Sequence, residues 1–223
     1  MALPKFKLIS FPICPYVQRS LIILKEKNIP FEIEYINLMD PPVWFHDISP
    51  LGKVPVLLVD DKPLFESMVI CDYLDEITEG SLYPSDVFLK AQNRAWIEFG
   101  NDILSTTFDF LRTDDQKKFN LCIDTLMDRF EMLEEEFSNG DYFNGTDFSI
   151  IDAVYAPIFR YHKRIEEYKD YGIFEDAPNV RAWGERLLER SSVMNSIPAN
   201  YSEALKKFLT NQNSILGNLL TAK

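Results

Sequence analysis

The segment Phe11-Pro12-Ile13-Cys14-Pro15-Tyr16-Val17-Gln18-Arg19 concentrates the residue types that can do chemistry. It follows a short strand-like run, Lys5–Ser10, and opens a helical pattern, Pro15–Lys27, in which Val17, Leu21 and Leu24 recur at helical spacing. Proline suits a first helical turn because its missing N–H would have no partner there, so Pro15 places Cys14 at the helix cap. Free N–H groups of that turn and the positive end of the helix dipole then face the sulfur, and both favour thiolate over thiol. The expectation is a reactive cysteine that titrates below the ~8.5 of a free thiol; the competing reading is a small packing thiol in a tight turn. Arg19, one turn on, either adds positive charge at Cys14 or braces the fold through an ion pair. Val17 stands where a second cysteine would complete Cys-x-x-Cys. If Cys14 attacks a disulfide, an external thiol must therefore resolve the intermediate.

Other tempting side chains carry less. Cys71 and Cys122 lie within apolar helical patterns and read as packing groups. His46 reads as a surface residue, and His162 has no visible partner. Trp96, Phe99, Phe108 and Tyr161 suit either a core or the wall of an acceptor pocket. Ser149-Ile150-Ile151-Asp152 has the chemistry of a helix start, related to the capping box, and reads as structural. Two histidines and three scattered cysteines give no metal-ligand spacing, so no metal is expected.

The elements that must position Cys14 follow from the punctuation of the chain. Ten of the 13 prolines fall within residues 1–84 of the 223. Proline interrupts helices, so short elements and tight turns are expected first and long helices afterwards. After the first helix, Phe31–Ile36 alternates apolar and acidic residues, a half-buried strand. A short helix within Pro41–Ile48, a strand at Val54–Val59, a turn at Asp60-Asp61-Lys62-Pro63, a short strand at Leu64-Phe65 and a helix marked by Ile70, Leu74 and Ile77 complete a βαβ–ββα order. Beyond a break at Glu79-Gly80-Ser81, helices are expected at Phe88–Leu111, along the Phe119–Phe137 stripe, from Ser149, at Val180–Glu189 and at Ser202–Leu209; the tail from Asn211 is polar, then apolar.

Composition limits the function. The net charge is −12, shared as −5 over residues 1–80 and −7 over the rest, so neither part has the basic footprint of a nucleic-acid or anionic-membrane partner. No apolar run approaches a membrane span, and the N-terminus lacks the apolar core of a signal peptide. Three cysteines do not make a disulfide framework, so a cytoplasmic setting is expected.

The Cys14-Pro15-Tyr16 helix start, the Val54-Pro55 step before a strand and the βαβ–ββα order resemble the glutaredoxin branch of the thioredoxin fold. Glu66-Ser67 opening a helix, with an all-helical region that contains the Ser149/Asp152 start, resembles a cytosolic glutathione transferase over essentially the whole chain. Cys14 in place of tyrosine or serine is similar to the omega class, as are Pro42-Val43-Trp44-Phe45, Ser49–Leu57 and Phe65–Glu76. The resemblance implies an α/β thioredoxin-like domain at residues 1–80, a linker at 81–86 and an all-α domain at 87–223. It implies a cis Pro55, Val54 bonding the cysteinyl part of glutathione, Glu66 near the γ-glutamyl ammonium, Ser67 on the γ-glutamyl carboxylate and Lys53 toward the glycyl carboxylate. The implied function is glutathione-dependent thiol transfer through a Cys14 mixed disulfide, on small-molecule or protein thiols, extending to dehydroascorbate reduction. Glutathione is the co-substrate and a homodimer the implied assembly. The alternative on the same scaffold is a non-catalytic interaction protein, similar to stringent starvation protein A.

Overall fold

A computed structural model describes residues 3–137 and 140–221. By its internal contacts the chain forms two compact units: Met1–Leu82 together with Ser191–Pro198, and Tyr83–Arg190 together with Ala199–Lys223.

The first unit is built on a four-stranded sheet. Strands β1 (Phe6–Ser10), β2 (Glu32–Tyr35), β3 (Val56–Val59) and β4 (Lys62–Phe65) lie in the order β2-β1-β3-β4. β1 pairs parallel with β2 and antiparallel with β3, which pairs antiparallel with β4. A parallel pair needs a crossover, and helix α1 (Pro15–Glu26) supplies it between β1 and β2. The inner strands β1 and β3 are apolar runs with fully buried Leu8, Val56 and Leu57. β2 is more exposed than its alternation suggests: Ile33 and Tyr35 are exposed, because β2 is an edge strand paired, among the described residues, with β1 alone. The short α2 (Phe45–Ile48) contributes the buried Phe45, and α3 (Ser67–Glu76) packs against α1 through Ile70, Cys71 and Leu74. Each such fully buried aliphatic side chain contributes about 1.5–3 kcal/mol.

Two contacts close this unit at its far end. Lys27, just after α1, forms a buried ion pair with Asp75 at 2.7 Å and also donates to the carbonyls of Glu79 and Gly80. Asp75 accepts from the Ser81 hydroxyl and the Leu82 N–H, both at 2.8 Å. The later helix α8 (Ser191–Met194) then packs on α1, with Val193 fully buried and the Ser192 hydroxyl donating to Glu26. Sequence patterning did not single out this short segment.

The second unit is helical: α4 (Val87–Arg112), α5 (Gln116–Glu136), α6 (Ile150–Glu166), α7 (Pro178–Glu189), α9 (Tyr201–Thr210) and α10 (Ile215–Thr221). The expected helices are present, and the apolar tail residues Leu216 and Leu220 fold inward as α10. α6 is buried along most of its length. Tyr155 crosses to α4 and donates to the Trp96 carbonyl at 2.7 Å, lying so close over Gly100 that a Cβ there would meet its ring at 2.9 Å. Phe159 meets Gly184 of α7 in the same way.

Candidate active site

Cys14 is the N-cap of α1, with Pro15 in the first turn, as the spacing requires. Its backbone N–H closes a turn onto the Phe11 carbonyl at 3.0 Å, which fixes where the thiol points. The side chain makes no capping bond of the ordinary kind. Instead, the N–H groups of Tyr16 and Val17 act on the sulfur from below, and the thiol donates to the Val54 carbonyl at 3.8 Å.

The expected ionisation does not follow from this cap. The Tyr16 and Val17 N–H groups and the Arg19 charge do pull the Cys14 pKa down, but loss of water around the sulfur outweighs them and pushes it up to about 11. Although Cys14 is only half-buried, desolvation of the sulfur outweighs two N–H groups and one guanidinium and favours the thiol in the ligand-free protein. That state matches its role as donor to Val54.

Arg19 is fully buried. Its guanidinium lies 5.0 Å from the centroid of the Tyr16 ring, and its charge pulls the pKa of Cys14, Tyr16 and the buried Cys71 down alike. Of the two roles weighed for Arg19, a bracing ion pair and a charge effect at Cys14, the second is felt at the sulfur. Tyr16 also feels Cys14 and Glu66, which places these side chains around one locus.

The second wall is the step into β3. The Val54-Pro55 peptide is cis, as expected. Val54 precedes the ladder, which begins at Val56, so its carbonyl is left to face Cys14. The loop before it is held by Ser49, whose buried hydroxyl donates to the Lys53 carbonyl at 2.7 Å and accepts from the Lys53 N–H at 2.9 Å. Gly52 takes φ +61 to make that turn. Lys53 extends from this clamped backbone into solvent.

The third wall is the start of α3. Glu66, its N-cap, has φ 70 and ψ 116, a conformation that costs a residue with a Cβ about 1–3 kcal/mol. No side chain caps this helix. The carboxylate of Glu66 is exposed, whereas Ser67, the first residue of α3, is buried. A strained backbone at an uncapped helix start presents N–H groups to an anion, the arrangement by which helix termini hold carboxylates.

Cys14, Arg19, Val54, Pro55, Glu66, Ser67 and Lys53 thus all lie in the first unit, with Cys14 and Val54 in contact. Two residues join them that patterning did not assign a role. Tyr16 lies in the Cys-Pro-Tyr string itself, and Ser49 opens the Ser-Pro-Leu-Gly-Lys run, so both signals were present. Cys71 and Cys122 are buried, and His46 is exposed. His162 is not at the surface: its Nε2 lies 3.1 Å from the Thr107 hydroxyl among Phe130 and Phe174, and burial pushes its pKa down to about 3. Trp96 packs edge-on against Phe99, and Phe108 against Tyr161, within the helical unit.

Ser149 and Asp152 form a complete capping box. Asp152 accepts from the Ser149 N–H and hydroxyl, the Phe143 N–H and the Trp183 indole, all at 2.6–3.0 Å. With every lone pair engaged inside the core, this carboxylate is a structural node. Among the described residues no cluster of three His, Cys, Asp or Glu side chains is placed to hold a metal ion, and no helix is long and apolar enough to cross a membrane.

Residues 13–77 match the family model for the glutathione S-transferase N-terminal domain, and residues 102–191 that for its C-terminal domain. Glutathione S-transferase omega-1 of Rattus norvegicus is 32% identical over 189 residues, covering 83% of this chain and 77% of that protein. Glutathione S-transferase U28 of Arabidopsis thaliana is 27% identical over 213 residues, covering 91% and 94%. Among solved structures, glutathione transferase Omega 3C from Trametes versicolor superposes with a TM-score of 0.79 at 27% identity, over 87% of this chain and 90% of that one. The first matched segment contains Cys14, Arg19, Lys53, Val54, Pro55, Glu66 and Ser67.

Proposed function

This chain belongs to the glutathione S-transferase family, and from that premise we propose that it is a cysteine-type, omega-like thiol transferase that uses glutathione as co-substrate. The observation that carries the reading is Cys14 itself, a sulfur at a helix start with no side-chain cap bond, donating to the Val54 carbonyl. In the proposed reaction the Cys14 thiolate attacks the glutathionyl sulfur of a mixed disulfide. The Cys14–glutathione disulfide forms, the original S–S bond breaks and the departing thiolate takes up a proton. A second glutathione thiolate then attacks the glutathionyl sulfur on Cys14, which restores the Cys14 thiolate and releases oxidised glutathione. Dehydroascorbate is reduced through an analogous adduct.

Each residue has a role in that cycle. The cysteinyl amide of glutathione bonds the Val54 backbone, the γ-glutamyl carboxylate meets Ser67 and the N–H groups of the α3 start, the γ-glutamyl ammonium meets Glu66, and Lys53 reaches the glycyl carboxylate. Pro55 and Arg19 support the site. Docking at Val54 would also activate the Cys14 thiol, whose pKa desolvation pushes up to about 11. The incoming amide N–H competes for the carbonyl that the Cys14 thiol uses, and the released sulfur is left facing the Tyr16 and Val17 N–H groups. A homodimer belongs to the proposal; Leu51, Phe65 and Val69 are large apolar side chains of the first unit that remain exposed.

The same raised pKa favours a second reading, a non-catalytic interaction protein on this scaffold. Mass spectrometry after incubation with oxidised glutathione separates the two. The transferase reading expects one glutathione adduct on Cys14, and alkylation of Cys14 whose pH midpoint falls when S-methylglutathione occupies the site. No adduct, or one confined to Cys71 or Cys122, together with a midpoint that stays near 11, supports the scaffold reading.

A further inference from the structure

The connection between α5 and α6 carries two Asn-Gly pairs, Asn139-Gly140 and Asn144-Gly145. Asn-Gly is prone to deamidation, because glycine has no Cβ to shield its N–H from the asparagine side chain. Around Asn144 the fold opposes each requirement of that reaction. Its amide is paired reciprocally with Asn93 of α4, a fully buried residue: Asn144 Nδ2 donates to Asn93 Oδ1 at 2.7 Å, and Asn93 Nδ2 donates back to Asn144 Oδ1 at 3.0 Å. Asn144 Nδ2 also donates to Ser149 Oγ at 3.2 Å, and that hydroxyl donates to Asp152. The nucleophile is engaged as well. The Gly145 N–H donates to the Tyr142 carbonyl at 3.0 Å, and the Tyr142 N–H returns to the Gly145 carbonyl at 2.8 Å. Gly140 lies so close to Gly145 that a Cβ would not fit at Gly140, and Arg186 of α7 donates to the Gly140 and Asp141 carbonyls, both at 3.0 Å. A cavity of about 170 Å³, with Asn93, Asn144, Trp96 and Phe143 in its lining, opens beside the amide pair. Room to rotate and access for water are therefore at hand once the bonds to Asn93 break.

We propose that Asn144-Gly145 is a latent deamidation site, that Asn93 keeps it latent, and that its conversion unfastens the start of α6. In the reaction a base takes the Gly145 N–H proton, and the nitrogen attacks Asn144 Cγ to form the C–N bond of a cyclic imide. The Cγ–Nδ2 bond breaks, and the departing nitrogen takes up a proton and leaves as ammonia. Water then opens the imide at one of its two C–N bonds, giving aspartate or isoaspartate. Either product removes the donor that meets Asn93 and Ser149, and leaves those acceptors without it. Either also adds a carboxylate beside Ser149, whose hydroxyl already serves the buried Asp152. Isoaspartate further lengthens the main chain by one CH₂ within the turn that the Tyr142–Gly145 pair closes. The site uses none of the residues assigned to glutathione and stands apart from that reading.

The test is incubation of the full chain at mildly alkaline pH, with mass spectrometry of proteolytic fragments to read amide-to-acid conversion at Asn144 and separate it from Asn139. The folded wild type should convert Asn144 about tenfold or more slowly than a synthetic peptide of residues 141–148, and Asn93→Ala should raise the rate in the folded chain about tenfold. Ile103→Ala truncates a fully buried side chain of the same helix and leaves Asn93 in place. It controls for lost stability and should keep the rate near that of the wild type. Asn144→Asp carries the side chain of one product and should lower the melting temperature by about 2–8 °C. Equal rates in the peptide and the folded wild type, an Asn93→Ala rate equal to that of the wild type, an Ile103→Ala rate that matches Asn93→Ala, or an unchanged melting temperature in Asn144→Asp overturns the proposal.

Discussion

The first turns of α1 and α6 face the same physical demand, several backbone N–H groups with no helical partner, and meet it in opposite ways. At α6 the demand is met internally: Ser149 and Asp152 close a capping box, and Asp152 also takes the Phe143 N–H and the Trp183 indole. At α1 the capping residue is Cys14, whose sulfur is a poor acceptor, and the N–H groups of Tyr16 and Val17 remain directed at it. The start of α3 repeats the second pattern, with strained Glu66 and no cap, whereas α4 and α5 are capped by Asp86 and Asp115. The capped starts of α4, α5 and α6 lie in the helical unit, where α7 and α9 begin without a side-chain cap of their own; the open starts of α1 and α3 lie in the sheet-containing unit, beside the residues proposed to meet glutathione. A side-chain oxygen at such a position is worth about 1 kcal/mol, so leaving two starts open is a measurable concession of stability at the site.

Exchanging single atoms at these starts should separate activity from stability. Cys14→Ser gives the largest effect: disulfide reduction and dehydroascorbate reduction fall by on the order of 10³-fold or more, since serine cannot form the mixed disulfide. Glutathione binding by calorimetry should persist and conjugation of a chlorinated nitrobenzene should appear, while denaturant melts shift little. Retention of full reductase activity by Cys14→Ser breaks the comparison. Asp152→Ala should do the reverse. It strands buried donors from Ser149, Phe143 and Trp183 and should lower unfolding free energy by about 3–5 kcal/mol, leaving Cys14 labelling in the folded fraction intact.

A third test uses pH. His162 titrates near 3 when folded and near 6.5 when unfolded, so the unfolded chain binds the proton first, and stability falls as pH drops below 6.5. Between pH 7 and pH 5 this amounts to about 2 kcal/mol, and His162→Gln should remove that share of the slope in urea melts. The smallest effect is expected at α3. Glu66→Gly relieves a positive φ at a modest cost in unfolded-chain entropy, so the protein should gain about 1 kcal/mol while its glutathione affinity falls. A variant that gained neither stability nor lost affinity would remove the link between strain and binding.

What was legible in the sequence is what depends on neighbours along the chain. Pro15 next to Cys14 set the helix start, and the run Ser49–Leu57 set the loop before β3. The Ser149/Asp152 spacing marked α6. The ionisation of Cys14 was not legible, because it depends on water being excluded by groups such as Val54, forty positions away. Nor was the backbone of Glu66, since glutamate gives no sign of a positive φ. His162 found its partner Thr107 across 55 positions, and Ser192 found Glu26 across 166. Such pairings are decided by tertiary packing, which spacing along the chain does not encode.

The return of α8 to α1 gives the first unit a schedule as well as a shape. A ribosome adding about 5–20 residues per second finishes Leu82 long before it reaches Ser191. Throughout that interval the face of α1 that Val193 will cover has no cover, and Glu26 awaits Ser192. The unit that holds Cys14 is therefore completed only after residues 83–190 of the helical unit have been made. A nascent chain cut short before α8 carries the entire Cys14 pocket in its sequence but not the last piece of the scaffold beneath it.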